Sequence, residues 1–175
     1  MIMSKHDIKV NDIEFFIYKD EKVWGDGEHE TTKHMMDLIY KHGVKGKSVL
    51  EIGTGTGILS VLCGKLGAKS ILAFDVDANA LEWARKNFKH NEVNAEAEIN
   101  NLADFYEEKV DVIIANLPAP TQVENVKTIA KNMNNDSLFI MSWWNKLKFD
   151  DYVRGFKVIE HIAGDDYDAY VLKKE

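Results

Sequence analysis

Cysteine, basic charge and long apolar runs are all scarce in this chain, and each scarcity removes a class of protein. The single cysteine, Cys63, rules out an internal disulfide and reads as a small core residue rather than a reactive thiol. No apolar stretch is long enough to span a bilayer, and the opening Met1-Ile2-Met3-Ser4-Lys5-His6 lacks a signal-peptide h-region. No membrane association and a cytoplasmic location are therefore expected. Lys and Arg number 22 against 29 Asp and Glu, a net charge of −7. That balance argues against a nucleic-acid partner, because neutralising phosphates needs a basic face. Metal-ligand spacings, repeats and low-complexity segments are missing as well, so no metal is expected. What is left, 175 residues with 45% hydrophobic content, suits one folded domain with a full core and no second domain.

The informative segment is Val49-Leu50-Glu51-Ile52-Gly53-Thr54-Gly55-Thr56-Gly57-Ile58-Leu59. Ser48 to Ile52 has the apolar, β-branched character of a buried parallel strand, and the glycines after it permit a sharp turn and a close backbone approach to a ligand. Ile58, Leu62 and Leu66 then recur at helical spacing. A second apolar run, Ser70 to Phe74, ends in Asp75, about 20 residues past the loop, where doubly wound folds set an acid against ribose hydroxyls. A dinucleotide loop reads G-x-G-x-x-G, whereas this one reads E-x-G-x-G-x-G. The acid Glu51 disfavours a phosphate and suits a cationic ligand.

The rest of the chain repeats the alternation of strand and helix. Asp77 or Asn79 caps a helix carrying Leu81, Ala84 and Phe88, and Ala95 to Ile99 reads as a weak strand. Val110 to Ala115 is a strong buried strand ending in Asn116-Leu117-Pro118. Val126, Ile129, Ala130 and Met133 mark a helix, with Asn134-Asn135-Asp136 turning into a strand from Ser137 to Ser142. Phe156 to Ile162 and Asp168 to Leu172 form a hairpin around residues 164–167. The expectation is an α/β doubly wound, Rossmann-like sheet of about seven strands, mostly parallel with an antiparallel last strand and helices on both faces. Residues 1–23 form a short extension in which Ile8 to Tyr18 alternates as a β-hairpin turning at Asn11-Asp12. A flexible loop, Trp24 to Thr32, follows and leads into a helix carrying Met35, Leu38 and Ile39 and ended by Gly43.

The glycine loop resembles motif I of class I S-adenosylmethionine-dependent methyltransferases. The implied cofactor is S-adenosylmethionine, with Glu51, Gly53, Thr54, Gly55 and Gly57 around it, Asp75 on the ribose hydroxyls and Val76 against the adenine. The segment Trp24-Gly25-Asp26-Gly27-Glu28-His29-Glu30-Thr31-Thr32 is similar to the F-G-x-G-x-H-x-T-T signature of PrmA-type methyltransferases, with tryptophan as the aromatic. Those enzymes trimethylate lysines and the N-terminal amine of a large-subunit ribosomal protein. The resemblance covers roughly residues 24–120. It implies that Thr31, Thr32 and Asn116 approach the cofactor's methionine end or the reacting amine, and that Asn101 stands where an acid often reads the adenine amino group. His29 is the one candidate base in the motif set.

Two departures qualify the substrate. Family members carry a separate N-terminal recognition domain where this chain has the hairpin, and Asn116-Leu117-Pro118-Ala119 lacks the aromatic that clamps a flipped base. The expected acceptor is a basic protein, through a lysine or an N-terminal amine, or a small amine. The alternatives are a small-molecule methyltransferase and a non-catalytic cofactor-binding or scaffold module. Asp26, Glu28, Glu30, Asp165, Asp166 and Asp168 are expected to meet at the carboxyl ends of the strands as an acidic rim that steers a cationic acceptor. Oligomeric state is not legible.

Overall fold

Buried parallel strands need helices on both faces, and the apolar runs of this chain obtain them in a computed structural model that describes residues 3–100 and 108–175. Strands β3 (Ser48–Ile52), β4 (Ser70–Asp75), β5 (Glu96–Ile99), β6 (Val110–Ala115), β7 (Met133–Trp144), β8 (Phe156–Ile162) and β9 (Tyr167–Lys174) form one sheet in the order β5-β4-β3-β6-β7-β9-β8. The first five pair in parallel, whereas β9 runs antiparallel to both β7 and β8. The order reverses between β3 and β6, so the crevice for a ligand lies at the carboxyl ends of these two strands.

Helices α1 (Glu30–His42), α2 (Ile58–Lys65), α3 (Ala78–His90), α4 (Ala119–Lys131) and the single turn α5 (Phe149–Tyr152) complete the layers. One core holds Met35, Leu38, Ile39, Leu62, Leu81, Val112 and Ile140; the other, on the opposite face, holds Leu50, Ile113, Ile129, Phe139 and Trp143. Cys63 is fully buried in the first, and burial pushes its thiol pKa well up, as suits a core residue.

The amino-terminal hairpin, β1 (Ser4–Val10) and β2 (Ile13–Lys19), turns at Asn11, whose φ of 53° an asparagine tolerates. It is a separate two-stranded sheet, yet Ile8, Val10, Phe15 and Ile17 enter the same core as α1 and α2. Two buried amides, Asn87 on α3 and Asn91 at its C-cap, fasten it. Asn91 accepts from the Phe16 N–H and donates to the Phe16 carbonyl at 2.7 Å; Asn87 does the same for Tyr18, at 2.8 Å in both directions. These side chains give β2 the main-chain partners that a neighbouring strand would supply.

One boundary differs from the sequence expectation. α4 stops at Lys131, with the buried Asn132 as its cap, and Met133 opens β7 by pairing with Val110 instead of closing the helix. Asn134 to Asp136 are not a turn before the strand but an irregularity within it. Register resumes at Val112 opposite Leu138, and Ser137 bridges the gap, its hydroxyl accepting from the Asn134 N–H at 2.8 Å and donating to the Val110 carbonyl at 2.5 Å.

Candidate active site

The turn from β3 to α2 is held by hydrogen bonds to β4 and to the Trp24 segment. The N–H groups of Gly53 and Thr54 donate to the Phe74 carbonyl at 2.8 and 2.9 Å, that of Thr56 to the Trp24 carbonyl at 3.0 Å, and that of Gly57 to the Thr54 carbonyl at 2.8 Å. The Gly55 N–H donates to Asp75 Oδ2 at 2.9 Å. Every amide from residue 53 to residue 57 is thus engaged by the protein. A pyrophosphate would need such amides free, so the loop is unsuited to a dinucleotide.

The three glycines have φ of 74°, 54° and 81° at positions 53, 55 and 57, values that L side chains rarely adopt. The sequence reading has them clear space for a ligand; the structure shows that space occupied by the protein. A Cβ at Gly55 would lie 2.6 Å from the Trp24 carbonyl oxygen, one at Gly57 2.6 Å from the Phe88 ring, and one at Gly53 2.1 Å from Leu117. A side chain at Gly55 would push away the Trp24 segment before it met any cofactor.

Glu51 lies behind this loop, 2% exposed. Its Oε2 accepts from the Thr54 hydroxyl at 2.8 Å, from the Ser60 N–H at 3.1 Å and from the Ser60 hydroxyl, which ties β3 to the loop and to the first turn of α2. Burial raises its pKa to about 7 in spite of those donors. Thr54, 3% exposed, belongs to the same buried bracket. Asp75 is half-buried at the end of β4, with Oδ2 on the Gly55 N–H and Oδ1 accepting from Asp77 N–H at 3.0 Å. Each oxygen keeps a second lone pair for a hydroxyl donor. Beyond it Val76 is 71% exposed. Asn101 lies outside the described residues.

On the other side of the switch point α1 starts. His29 is its N-cap: Nδ1 accepts from the Thr31 N–H at 3.3 Å and lies 2.9 Å from Thr31 Oγ1, and the ring packs edge-on against Tyr167. The lone pair expected to serve as a base is used in capping. Thr31 and Thr32 are buried in the first turn, and Asn116 at the end of β6 donates from Nδ2 to Thr32 Oγ1 at 3.4 Å. Leu117, the next residue, covers Gly53. Thr32, Asn116 and the glycine loop therefore meet across the crevice.

Three residues that hold this site escape the sequence reading. Thr56, fully buried, ties the Trp24 segment down through its N–H and through its hydroxyl, which donates to the Gly25 carbonyl at 2.6 Å. Ser60 holds Glu51, and Asn87 also donates to the Thr56 carbonyl at 2.9 Å. Asparagines at positions 87 and 91, one helical turn apart beside the apolar stripe of α3, were the available signal.

The model of the family described as ribosomal protein L11 methyltransferase (PrmA) matches residues 21–175. The chain belongs to this family. Among its PrmA relatives, the ribosomal protein L11 methyltransferase of Dictyoglomus turgidum is 32% identical over 157 residues, 87% of this chain and 52% of that protein. That of Caldicellulosiruptor saccharolyticus is 37% identical over 134 residues, 77% of this chain and 44% of the relative. The chain thus spans about half the length of the curated PrmA relatives it matches. In solved structures, a ribosomal protein L11 methylase from Lactobacillus delbrueckii subsp. bulgaricus superposes with a TM-score of 0.80 at 26% identity, covering 87% of this chain and 81% of the other. A T. thermophilus 16S rRNA methyltransferase, solved with AdoMet and guanosine, shares the fold with a TM-score of 0.84 at 18% identity over 100% of this chain and 51% of that one.

The acidic rim is less exposed in charge than the sequence implied. Glu30 turns its carboxylate onto the β8–β9 turn, accepting from the Asp165 N–H at 2.7 Å, and that bond holds its pKa below the usual range. Asp168 accepts from the Tyr170 hydroxyl at 3.1 Å and pairs with His161 at 2.8 Å. Asp26 pairs with Lys19 at 3.4 Å, Glu28 with Lys33 at 3.2 Å and Asp166 with Lys146 at 3.3 Å. Of the neighbouring tryptophans, Trp143 is core, 1% exposed, and Trp144 is rim, 36% exposed. Among the described residues no helix is long and apolar enough to cross a membrane, and no cluster of His, Cys, Asp or Glu is able to hold a metal ion.

Proposed function

We propose that this chain binds S-adenosylmethionine at the β3–α2 loop and transfers its methyl group to an amine nitrogen of a basic protein, a lysine or an N-terminal amine. The observation that carries the reading is the glycine loop itself, whose amides are all engaged by protein acceptors, so that it rejects phosphate, while Asp75 stands at its edge. The residues fit a phosphate-free nucleoside: a half-buried carboxylate able to take ribose hydroxyls, the exposed Val76 beside it, and the Thr32–Asn116 pair at the opposite end.

When bound, the cofactor supplies an electrophilic methyl on a sulfonium, and the protein's part is alignment and exclusion of water. Asn116 turns its nitrogen to Thr32, which directs its oxygen at the amine N–H and aims the amine's lone pair. A lysine with a pKa of about 10.4 is neutral about once in 10³ molecules at pH 7, a deficit of roughly 4–5 kcal/mol, which desolvation in the crevice reduces. His29 acts through α1, as the cap that sets Thr31 and Thr32 in place.

Calorimetry against S-adenosylmethionine, S-adenosylhomocysteine and NAD tests the ligand: the first two are expected to bind and NAD is not. Labelled cofactor added to a lysate, followed by separation by size, tests the acceptor; label confined to small molecules would refute a protein substrate. Asn116→Ala is expected to lower kcat by about 10²-fold with S-adenosylhomocysteine affinity nearly unchanged, as for a group that acts only on the acceptor. Loss of affinity with full turnover would move Asn116 to the cofactor side.

A further inference from the structure

The net charge of −7 conceals a separation of charge between the two ends of the sheet. The crevice takes the carboxyl ends of the parallel strands, and the opposite end carries a row of lysines. Lys69 directly precedes β4, Lys109 directly precedes β6, and Lys131 lies two residues before β7. Because β9 runs the other way, it brings its last residues to the same end, where Lys173 pairs in register with Lys157 of β8 and Lys174 with Phe156. Five of these six lysines are exposed and Lys173 is half-buried. The strand order β4-β3-β6-β7-β9-β8 sets their backbones along a line about 24 Å long.

Several lysines elsewhere are neutralised by carboxylates, as Lys5, Lys9, Lys33 and Lys146 are at 2.5 to 3.3 Å. Among the described residues none of the six in the row forms an ion pair. Lys157 and Lys173 stand directly opposite each other across β8 and β9, an arrangement of like charges that lowers stability. Asp111, the second residue of β6, is committed to Ser48, whose N–H and hydroxyl donate to it at 2.8 and 2.9 Å and hold its pKa below the usual range. Glu96, Glu108, Asp136 and Glu175 also stand at this end, and the acids are fewer than the cations around them.

Lysine is depleted at protein–protein interfaces, whereas nucleic-acid interfaces are polar and strongly positive. The exposed tryptophans, Trp24 and Trp144, belong to the crevice end, so the row offers charge and not a platform for stacking bases. We infer that this amino edge of the sheet is a docking surface for a single-stranded nucleic acid, held through its phosphates and not read at its bases. A flexible strand is able to follow a straight row of point charges. Since the row and the crevice lie at opposite ends of the sheet, the strand binds independently of any ligand in the crevice.

Fluorescence anisotropy of a labelled oligouridylate of about 20 nucleotides tests the surface, with salt varied from about 50 to about 200 mM. Neutralising about four phosphates is expected to make the wild-type affinity fall about 50-fold over that range. Oligodeoxythymidylate of the same length is expected to bind alike, because an ammonium only donates and meets phosphate whatever the sugar. Lys69→Glu with Lys109→Glu, and separately Lys157→Glu with Lys173→Glu, are each expected to lower the affinity about tenfold, whereas Lys5→Glu with Lys9→Glu on the hairpin leaves it unchanged. Lys157→Glu alone, set opposite Lys173, is expected to melt no lower than the wild type, so a loss of binding in it is not a loss of fold. No binding at the lowest salt, an affinity independent of salt, or an equal loss in the hairpin variant overturns the proposal. So does equal affinity for poly-L-glutamate, which would make the edge a site for acidic proteins, or tighter binding to phosphatidylserine vesicles than to the oligonucleotide, which would make it a membrane-facing surface.

Discussion

A carboxyl group that is fully enclosed yet meets three donors has two opposed influences on its charge, and in Glu51 burial prevails: its pKa rises to about 7 from a usual 4.5. The folded state then holds the proton more tightly than the unfolded chain. Stability is full below the unfolded value and declines as pH rises through the folded one, by about 3 kcal/mol for a shift of this size. Glu51→Gln, which keeps an oxygen for Thr54 and Ser60, is expected to remove that decline. Urea melts at pH 5 and pH 8 check it: the wild type loses stability relative to the variant between the two, and parallel behaviour would show that Glu51 does not titrate there. Asp75, at the end of β4, accepts from the Gly55 N–H of the same loop but is only half-buried.

At the scale of elements, the hairpin of β1 and β2 is joined to the sheet's layers through α3. Asn87 donates to the Tyr18 and Thr56 carbonyls and accepts from the Tyr18 N–H, so one side chain couples the hairpin to the glycine loop. Asn87→Ala would strand these buried groups, at a cost of roughly 2–4 kcal/mol. We expect a lower urea midpoint together with weaker S-adenosylhomocysteine binding, since Thr56 also fixes the Trp24 segment. A change in stability alone would separate the hairpin from the site. Helix α1 illustrates the same principle at its other end, where Lys41 and His42 both reach Glu160 of β8, at 2.6 and 2.8 Å.

Across the whole molecule the net charge is −7, while Asp26, Glu28, Asp166 and Asp168 of the expected rim each have a Lys or His partner at close range. For a basic protein acceptor, kcat/KM is expected to fall as salt rises toward physiological strength, where screening extends about 8 Å, because net charge still draws the acceptor in. Asp165→Asn with Asp166→Asn is expected to change that slope only slightly. Initial rates at several salt concentrations decide the point, and a slope abolished in the double variant would restore a local steering rim.

Strand pairing set the reversal between β3 and β6, whereas period and punctuation by themselves determined the order of strands and helices along the chain and the positions of the glycine loop and Asp75. These depend on local patterns: apolar runs, glycine spacing, and an acid at a strand end. The C-terminal limit of α4 was not legible, since Met133 fits a helical stripe and only pairing with Val110 turns it into strand. The surroundings of individual loop residues were likewise set by neighbours distant in sequence. Trp24 leaves no room for a Cβ at Gly55, and Leu117 leaves none at Gly53. A sequence records which groups are available, whereas hydrogen bonds and excluded volume are set by which groups the packed chain brings within a few ångströms of one another.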